Sequence, residues 1–379
     1  MRKILYVTGT RADFGLMAST LQRIAEHPDL ELQIAVTGMH LSTSYGLTVR
    51  DIEALGLPIV GRIPTNVRDR TPAAMAQAIG EAVIGLTEVL KQASPDLVLL
   101  IGDRGEMLAG AIAALHLGIP IVHLHGGERS GTVDEPVRHA ITKLSHWHFV
   151  ATQESRDRVI RLGERPESVW ITGAPSLDDL EAQGAKPRVE VLFELGLSPD
   201  AQFLMVVFHP VVQEMNDAEK QTTALAEALD DVIRESRTHV VWLEPNADAG
   251  SAQILTAIDA ISSDRLHRVT HLPRPLYVAA LRHAKALAGN SSSGIIEAAS
   301  FGTPVVNIGN RQRSRERNLN TLDCTADRTA IAAALRQALA HGPYSPANRY
   351  GDGHAGERIV QLLATLPISA ELLDKINTY

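Results

Sequence analysis

Short, wholly apolar runs alternate along this chain with longer stretches in which small and apolar residues recur at helical spacing. KILYVTG (3–9) reads as a strand, GLMASTLQRIAEHP (15–28) as a helix and LELQIAVTG (30–38) as a second strand. PAAMAQAIGEAVIGLTEVLKQASP (72–95) predicts a long helix closed by Pro95, and DLVLLIGD (96–103) an apolar strand ending in an acid. GEMLAGAIAALHLG (105–118) and IPIVHLHGGE (119–128) repeat the helix and the strand. Strands that are apolar throughout, with helices between them, predict a parallel sheet covered on both faces. The rhythm lapses over 176–202, where charge, Gly and Pro accumulate, and resumes at AQFLMVVFHP, THVVWLEPN, AKALAGN and TPVVNIGN.

This predicts an α/β protein of two Rossmann-like domains with parallel sheets facing across a cleft. The expected boundaries are 1–178 and 179–354, with helices of 355–379 packing back on the first domain. A length of 379 residues fits two domains better than one core. Ligands in open parallel sheets bind beyond the C-terminal strand ends. The polar clusters TGTRADFG, GDRGE, HLHGGERSGTVDE, FHPV, EPNADAGS, GNSSSG and GNRQRSRE all follow an apolar run, so they are expected to line the cleft.

Charge and cysteine content narrow the class. A net charge of −8 argues against a nucleic-acid partner, so an anionic ligand must be met by local cations. The lone Cys324 admits no internal disulfide and no cysteine metal site, which fits a cytoplasmic setting. MRKILYVTGT reads as a first strand and not as a signal peptide, and no stretch is expected to reach the length of a membrane span.

Each cluster carries candidate chemistry beside a plainer reading. In GTRADFG, Arg11 is a candidate anion partner and Asp13 either orients it or caps the helix; the loop lacks the dinucleotide-binding glycine pattern. Asp103 in GDRGE is a catalytic carboxylate or a helix cap. HLHGGERSGTVDE gathers His125, Glu128, Asp134 and Glu135, with paired glycines expected to admit a substrate. His123 and His125 with these acids form a rival metal set, which is set aside in favour of no metal. RHAITKLSHWHF is expected to continue as a helix whose His139, His146 and His148 serve packing or surface. His209 stands at a strand tip as a candidate acid–base group, or as a hydrogen-bonded core histidine. Asn246 and Asp248 precede a helix. Ser291 and Ser292 open another helix, predicted over 294–301, in a loop suited to phosphate. Glu297 could reach a ribose diol or be a solvated helix acid. Arg311 belongs to a four-arginine loop, a candidate lid over an anion, in which Arg313 and Arg317 are read as solvated.

Taken in order, GTRADFG, GDRGE, HLHGGERSGTVDE, FHPV, PNADAGS and GNSSSGIIEAASFGTPVVNIGNRQ resemble the hydrolysing UDP-N-acetylglucosamine 2-epimerases of the sialic-acid and legionaminic-acid pathway type. The resemblance covers nearly the whole chain. It implies a glycosyltransferase-B-like fold, a homodimer, and hydrolysis of a UDP-sugar with inversion at C2, giving N-acetylmannosamine without metal or cofactor. Sister enzymes acting on UDP- or GDP-linked N,N'-diacetylbacillosamine share the pattern. By motif, Arg11 and Asp13 would lie at the diphosphate and sugar, and Asp103, Glu128 and Asp134 would be the catalytic carboxylates. Glu128 and Asp134 are assigned to elimination, Asp103 to hydration, and His209 is the cleft histidine. Asn246, Asp248, Ser291, Ser292, Glu297 and Arg311 would bind nucleotide or substrate. Glu244 stands where relatives often carry an aromatic residue. A sugar transferase of the same fold and a nucleotide-sugar sensor are the readings from other classes.

Overall fold

The computed structural model describes residues 1–69 and 71–378. The first sheet is built from β1 (Arg2–Thr8), β2 (Leu30–Thr37), β3 (Ile59–Ile63), β4 (Leu97–Ile101), β5 (Ile121–Leu124), β6 (Trp147–Val150) and β7 (Val169–Ile171). Their spatial order is β3-β2-β1-β4-β5-β6-β7, and every pair is parallel. Between them run α1 (Arg11–Glu26), α2 (Val49–Ala54), α3 (Pro72–Ala93), α4 (Gly105–His116), α5 (Asp134–Leu144) and α6 (Gln153–Arg161). All five β4 residues are buried, as expected of a central strand covered on both faces; each such aliphatic side chain contributes about 1.5–3 kcal/mol.

After α7 (Leu180–Gln183) and α8 (Arg188–Glu194), the second sheet comprises β8 (Phe203–Val207), β9 (His239–Leu243), β10 (Leu266–Val269), β11 (Leu287–Gly289), β12 (Val305–Ile308) and β13 (Thr321–Cys324). It is also wholly parallel, in the order β10-β9-β8-β11-β12-β13. Its helices are α9 (Ala218–Ser236), α10 (Ser251–Asp259), α11 (Arg274–His283), α12 (Ser292–Ile296) and α13 (Arg328–His341). In each sheet the strand order reverses beside the first strand, between β1 and β4 and between β8 and β11. Loops leaving those strand ends diverge and open a crevice.

Three expectations need correction. The helix predicted through 149 ends at Leu144, where the Ser145 hydroxyl donates back to the Ile141 carbonyl at 2.7 Å; the apolar WHFV that follows pairs with β5 as β6, so His148 is a strand residue. The helix predicted over 294–301 is the short α12, and Ala298–Phe301 tightens into a 3-10 turn ended by Gly302 at φ +67°. One stretch does reach membrane-span length: α3 has 22 residues and passes on length and composition, yet it packs Ala82, Leu86 and Leu90 into the protein.

The chain crosses between the sheets twice, and the two passages touch. Ala174 N–H donates to the Tyr350 carbonyl at 2.7 Å, where Gly173 and Gly351 pass in contact. Beyond the second crossing, α14 (Ala355–Thr365) lies against α1, so the chain finishes on the first sheet's side. Asp178 in the first passage accepts the N–H groups of Ala355 (2.9 Å) and Gly356, satisfying donors that the helix itself leaves unpaired. Asp178→Ala is expected to lower unfolding free energy by about 1–3 kcal/mol in urea titrations, because two buried donors lose their acceptor. An unchanged midpoint would refute this role.

Candidate functional site

The two crevices face each other, and the polar loops foreseen from the sequence meet between them. Gly289 ends β11 at φ +137°, and a Cβ there would lie 2.1 Å from the Val207 carbonyl oxygen, so glycine lets β11 close on β8. The next residue, Asn290, ties the second crevice together. Its Oδ1 accepts from His209 N–H and its Nδ2 donates to the His209 carbonyl, each at 2.8 Å, while its own carbonyl accepts from Arg311 (3.1 Å) and Gln312 (3.0 Å). His209 Nδ1 accepts from Asn246 N–H at 3.3 Å, which leaves the proton on Nε2. Burial, reinforced by the cation of Arg311, pulls the His209 imidazole down to about 3. It is therefore a neutral N–H donor near pH 7 and not the near-neutral acid–base group expected from its ordinary value.

Glu128 and its partners join the two halves. Its carboxylate accepts from His125 Nδ1 and lies 3.0 Å from Arg315 of the opposite domain; Glu128 and Arg315 side chains are 3% and 7% exposed. Burial alone would raise this carboxyl, but Arg315, His125 and Arg158 outweigh it and hold it at about 2. His125 reaches Glu128 from a left-handed backbone (φ +60°), a conformation that costs a non-glycine residue about 1–3 kcal/mol and that recurs at functional sites. Arg158 and Thr152 both contact Glu316, next to Arg315, so the arginine loop is pinned to the first domain at two adjacent residues. Gly131 N–H donates to the Arg311 carbonyl at 3.4 Å, and a Cβ on Gly131 would sit 2.2 Å from the Asn310 oxygen.

Around this joint the charges interleave. Asp103 is paired with the buried Arg138, whose Nε and Nη1 have no partner among the described residues. Burial and the nearby Arg315 and Arg311 push that guanidinium well below its ordinary value, so it has an unmet demand for acceptor oxygens. Asp134, at the start of α5, lies 3.9 Å from Arg311. Arg104 reaches Asp248 across the gap at 3.4 Å and Glu106 at 3.3 Å. Asn246 donates to Asp248 at 2.6 Å. Arg11 donates to the Thr270 carbonyl, and with Met39, Tyr45, Thr48, Glu244, Pro245 and Thr270 it lines a small pocket between the halves.

Other candidates turn elsewhere. Asp13 does not orient Arg11: its carboxylate accepts from Thr8, Gly9, and both the amide and hydroxyl of Thr10, forming a capping box at the start of α1. Burial raises it to about 6. Ser291 Oγ accepts from Ser293 N–H at 3.3 Å and caps α12, while Ser292 is half-buried beside it. Glu297 is buried and paired with Arg274 at 2.8 Å, so its carboxylate is already engaged. The glycines Gly126 and Gly127 serve packing: a Cβ on Gly127 would strike the Ser155 backbone at 2.3 Å. His123 spends both ring nitrogens on Thr142 (3.0 Å) and the Gly102 carbonyl (2.7 Å). In the arginine loop Arg313 is exposed, whereas Arg317 is half-buried and pairs with Asp323 at 3.0 Å.

Arg104, Arg138, Asn290 and Arg315 were not singled out by sequence reasoning. Two signals were available. Arg315 stands four residues from Arg311, and Arg138 stands four residues from Asp134 on one helix face. Because Glu128 is held at about 2 against an ordinary 4.5, its contribution to stability is present in full above about 4.5 and is lost progressively as pH falls from there through about 2. Glu128→Gln, which strands the Arg315 charge, should therefore cost about 3–5 kcal/mol in denaturant melts at pH 7, with a similar loss at pH 5. A cost under about 1 kcal/mol at both pH values would show the pair to be dispensable.

Comparison with known proteins is consistent with this geometry. A model of the family described as UDP-N-acetylglucosamine 2-epimerase matches residues 22–364. The chain is 47% identical over the full length of both proteins to a Legionella pneumophila UDP-N,N'-diacetylbacillosamine 2-epimerase (hydrolyzing). It is 32% identical to a Neisseria meningitidis UDP-N-acetylglucosamine 2-epimerase, over 93% of this chain and 92% of that one. The fold superposes with a TM-score of 0.80 on the Methanocaldococcus jannaschii UDP-GlcNAc 2-epimerase, solved in complex with UDP-GlcNAc and UDP, at 18% identity over 95% of this chain and 99% of that one. With its two facing parallel sheets and this family match, the chain belongs to the UDP-N-acetylglucosamine 2-epimerase family.

Proposed function

We propose that this enzyme converts a UDP-linked 2-acetamido sugar and water to UDP and the free 2-epimer, with UDP-N,N'-diacetylbacillosamine preferred over UDP-N-acetylglucosamine. The observation that carries the reaction is that Asp134 and Glu128 of one half meet Arg311 and Arg315 of the other, with Asp103 on Arg138 one helical turn from Asp134 and His209 tied to Arg311 through Asn290. The full-length likeness to the Legionella protein supports the diacetamido sugar.

The C2 hydrogen of such a sugar is not acidic while the anomeric bond is intact. As the C1–O bond breaks, both bonding electrons leave with the diphosphate, C1 gains cationic character and the C2 proton becomes removable. Departure of the diphosphate is favoured by fixed donors already in place: Arg311, the Nε2–H of His209 and the loop hydroxyls of Ser291 and Ser292. Glu128, kept ionised by Arg315, is a poor base and serves better as a fixed anion beside the developing cation. That moves the proton abstraction of the elimination step to Asp134, whose side chain is 29% exposed. The product of that step is a glycal. Asp103, held by Arg138, then directs water to C1 while a proton returns to the opposite face of C2.

The same reading includes a cytoplasmic homodimer, paired through α3. That helix is apolar by composition yet largely uncovered, with Ile84 72% exposed. Ile84→Glu should yield monomers in light scattering, and an unshifted mass would rule this face out.

Three further measurements test the chemistry. In deuterated water with UDP-N,N'-diacetylbacillosamine, UDP-N-acetylglucosamine and the GDP analogue supplied separately, the expected product is a free sugar deuterated at C2, fastest from the first donor. An unconsumed set of donors, or product without deuterium, would end the proposal. Asp134→Asn should abolish glycal formation, whereas Asp103→Asn should release glycal that accumulates. His209→Ala should weaken UDP binding by about 10- to 100-fold in calorimetry, the loss of a hydrogen bond to a charged acceptor.

A further inference from the structure

The end of the chain reaches back to the helix that carries the site. α5 presents Asp134 at its first turn and Arg138 one turn later, and its last turn is held from outside. The Lys375 ammonium donates to the Thr142 carbonyl (3.0 Å) and to the Ser145 carbonyl, and lies 2.8 Å from Glu164. Its side chain is 19% exposed. The Thr142 carbonyl also accepts the Ser145 N–H at 3.1 Å, and Lys375 adds a cation at the helix C-terminus, where positive charge is favoured. Glu164 is nearly buried and also receives Lys143 (2.6 Å) and His148 (2.9 Å). The neighbours of Lys375 complete the seam: Asn377 accepts from Lys143 at 2.7 Å, and Thr378 N–H donates to the Gly163 carbonyl at 3.1 Å. Leu372 packs against the first core.

A second link runs inward from the same turn. His123 Nε2 lies 2.7 Å from the Gly102 carbonyl, which can only accept, so Nε2 carries the proton and Nδ1 accepts from the Thr142 hydroxyl at 3.0 Å. Gly102 immediately precedes Asp103, the partner of Arg138. Lys375, Thr142, His123 and Gly102 thus form one continuous path of polar contacts from the chain's last residues to a site carboxylate.

We propose that Lys375 is a positioning residue: it sets the placement of α5 and, through Thr142 and His123, the orientation of the Asp103–Arg138 pair. This rests on the epimerase reading for its kinetic test. Lys375→Met in the full-length protein should lower kcat about 10-fold, with KM and UDP affinity within twofold of wild type, because nucleotide is held by the other domain. Thr142→Val, which keeps the carbonyl contacted by Lys375 but removes the hydroxyl, should lower kcat comparably. The double variant should fall little further, since both act on one path. Hydrogen exchange read by mass spectrometry supplies a measure independent of turnover: Lys375→Met should speed exchange in both 134–144 and 102–106, Thr142→Val only in 102–106. Unchanged kcat in Lys375→Met with a lowered melting temperature would reduce the contact to simple support and overturn the proposal. So would additive kcat losses, or exchange confined to the tail. Absence of turnover in the wild type with every donor would instead defeat the epimerase reading, and the exchange pattern would then decide the positioning role alone.

Discussion

Two opposite charges, Glu128 and Arg315, stand almost out of contact with water at 3.0 Å from each other and come from different sheets. Neither is tolerable in that environment without the other, because desolvating a lone carboxylate or guanidinium costs several kcal/mol. The described closure of the two halves therefore has an electrostatic condition built into it. Once the pair is made, the neighbouring contacts follow: Gly131 against Asn310, Arg158 and Thr152 on Glu316, Arg104 on Asp248. Beside this matched charge, a buried apolar cluster of Ala151, Ala174 and Leu177 with Val278, Ile295 and Ile296 also joins the two halves.

The same joint gathers a dense set of arginines in a chain of net charge −8. Arg104, Arg138, Arg311 and Arg315 converge there, against Asp248, Asp103, Asp134 and Glu128, and their N–H donors outnumber the carboxylate oxygens that face them. Arg138 shows the imbalance most directly, with one nitrogen on Asp103 and two buried nitrogens unmatched among the described residues. Such a site favours a ligand rich in acceptor oxygens, and a diphosphate is such a ligand.

What the sequence disclosed follows the burial of each element. β1, β2, β4, β5, β8, β9, β11 and β12 were legible as apolar runs because helices cover both their faces. The sheet-edge strands β3, β7, β10 and β13 were not: they alternate or mix burial, β7 is only three residues long, and the others carry Arg62, Arg268 and Asp323 within the strand. β6 was absorbed into the preceding helix because WHFV offers no turn residue of its own. Site positions were legible where topology dictates them, at strand ends beside the order reversal. Pairings across the gap were not, since no local pattern says which arginine of RQRSRER turns toward Glu128. Asp13 is the opposite case. Its Thr10-x-x-Asp13 spacing already marks a capping box, and the backbone donors beside it claimed the carboxylate that motif matching had assigned to the ligand.

The paired crossings at Gly173 and Gly351 have a mechanical consequence. Two bodies joined by a single thread can tumble in any direction, but two threads in contact act as the pin of a door. Swinging about that pin strains neither covalent thread, its cost being the charge pairs it parts; sliding apart or twisting the leaves in opposite senses would stretch one thread against the other. Loops travel in proportion to their distance from the pin, so entry to the crevice is a matter of angle, and the same swing returns the same edges to register each time.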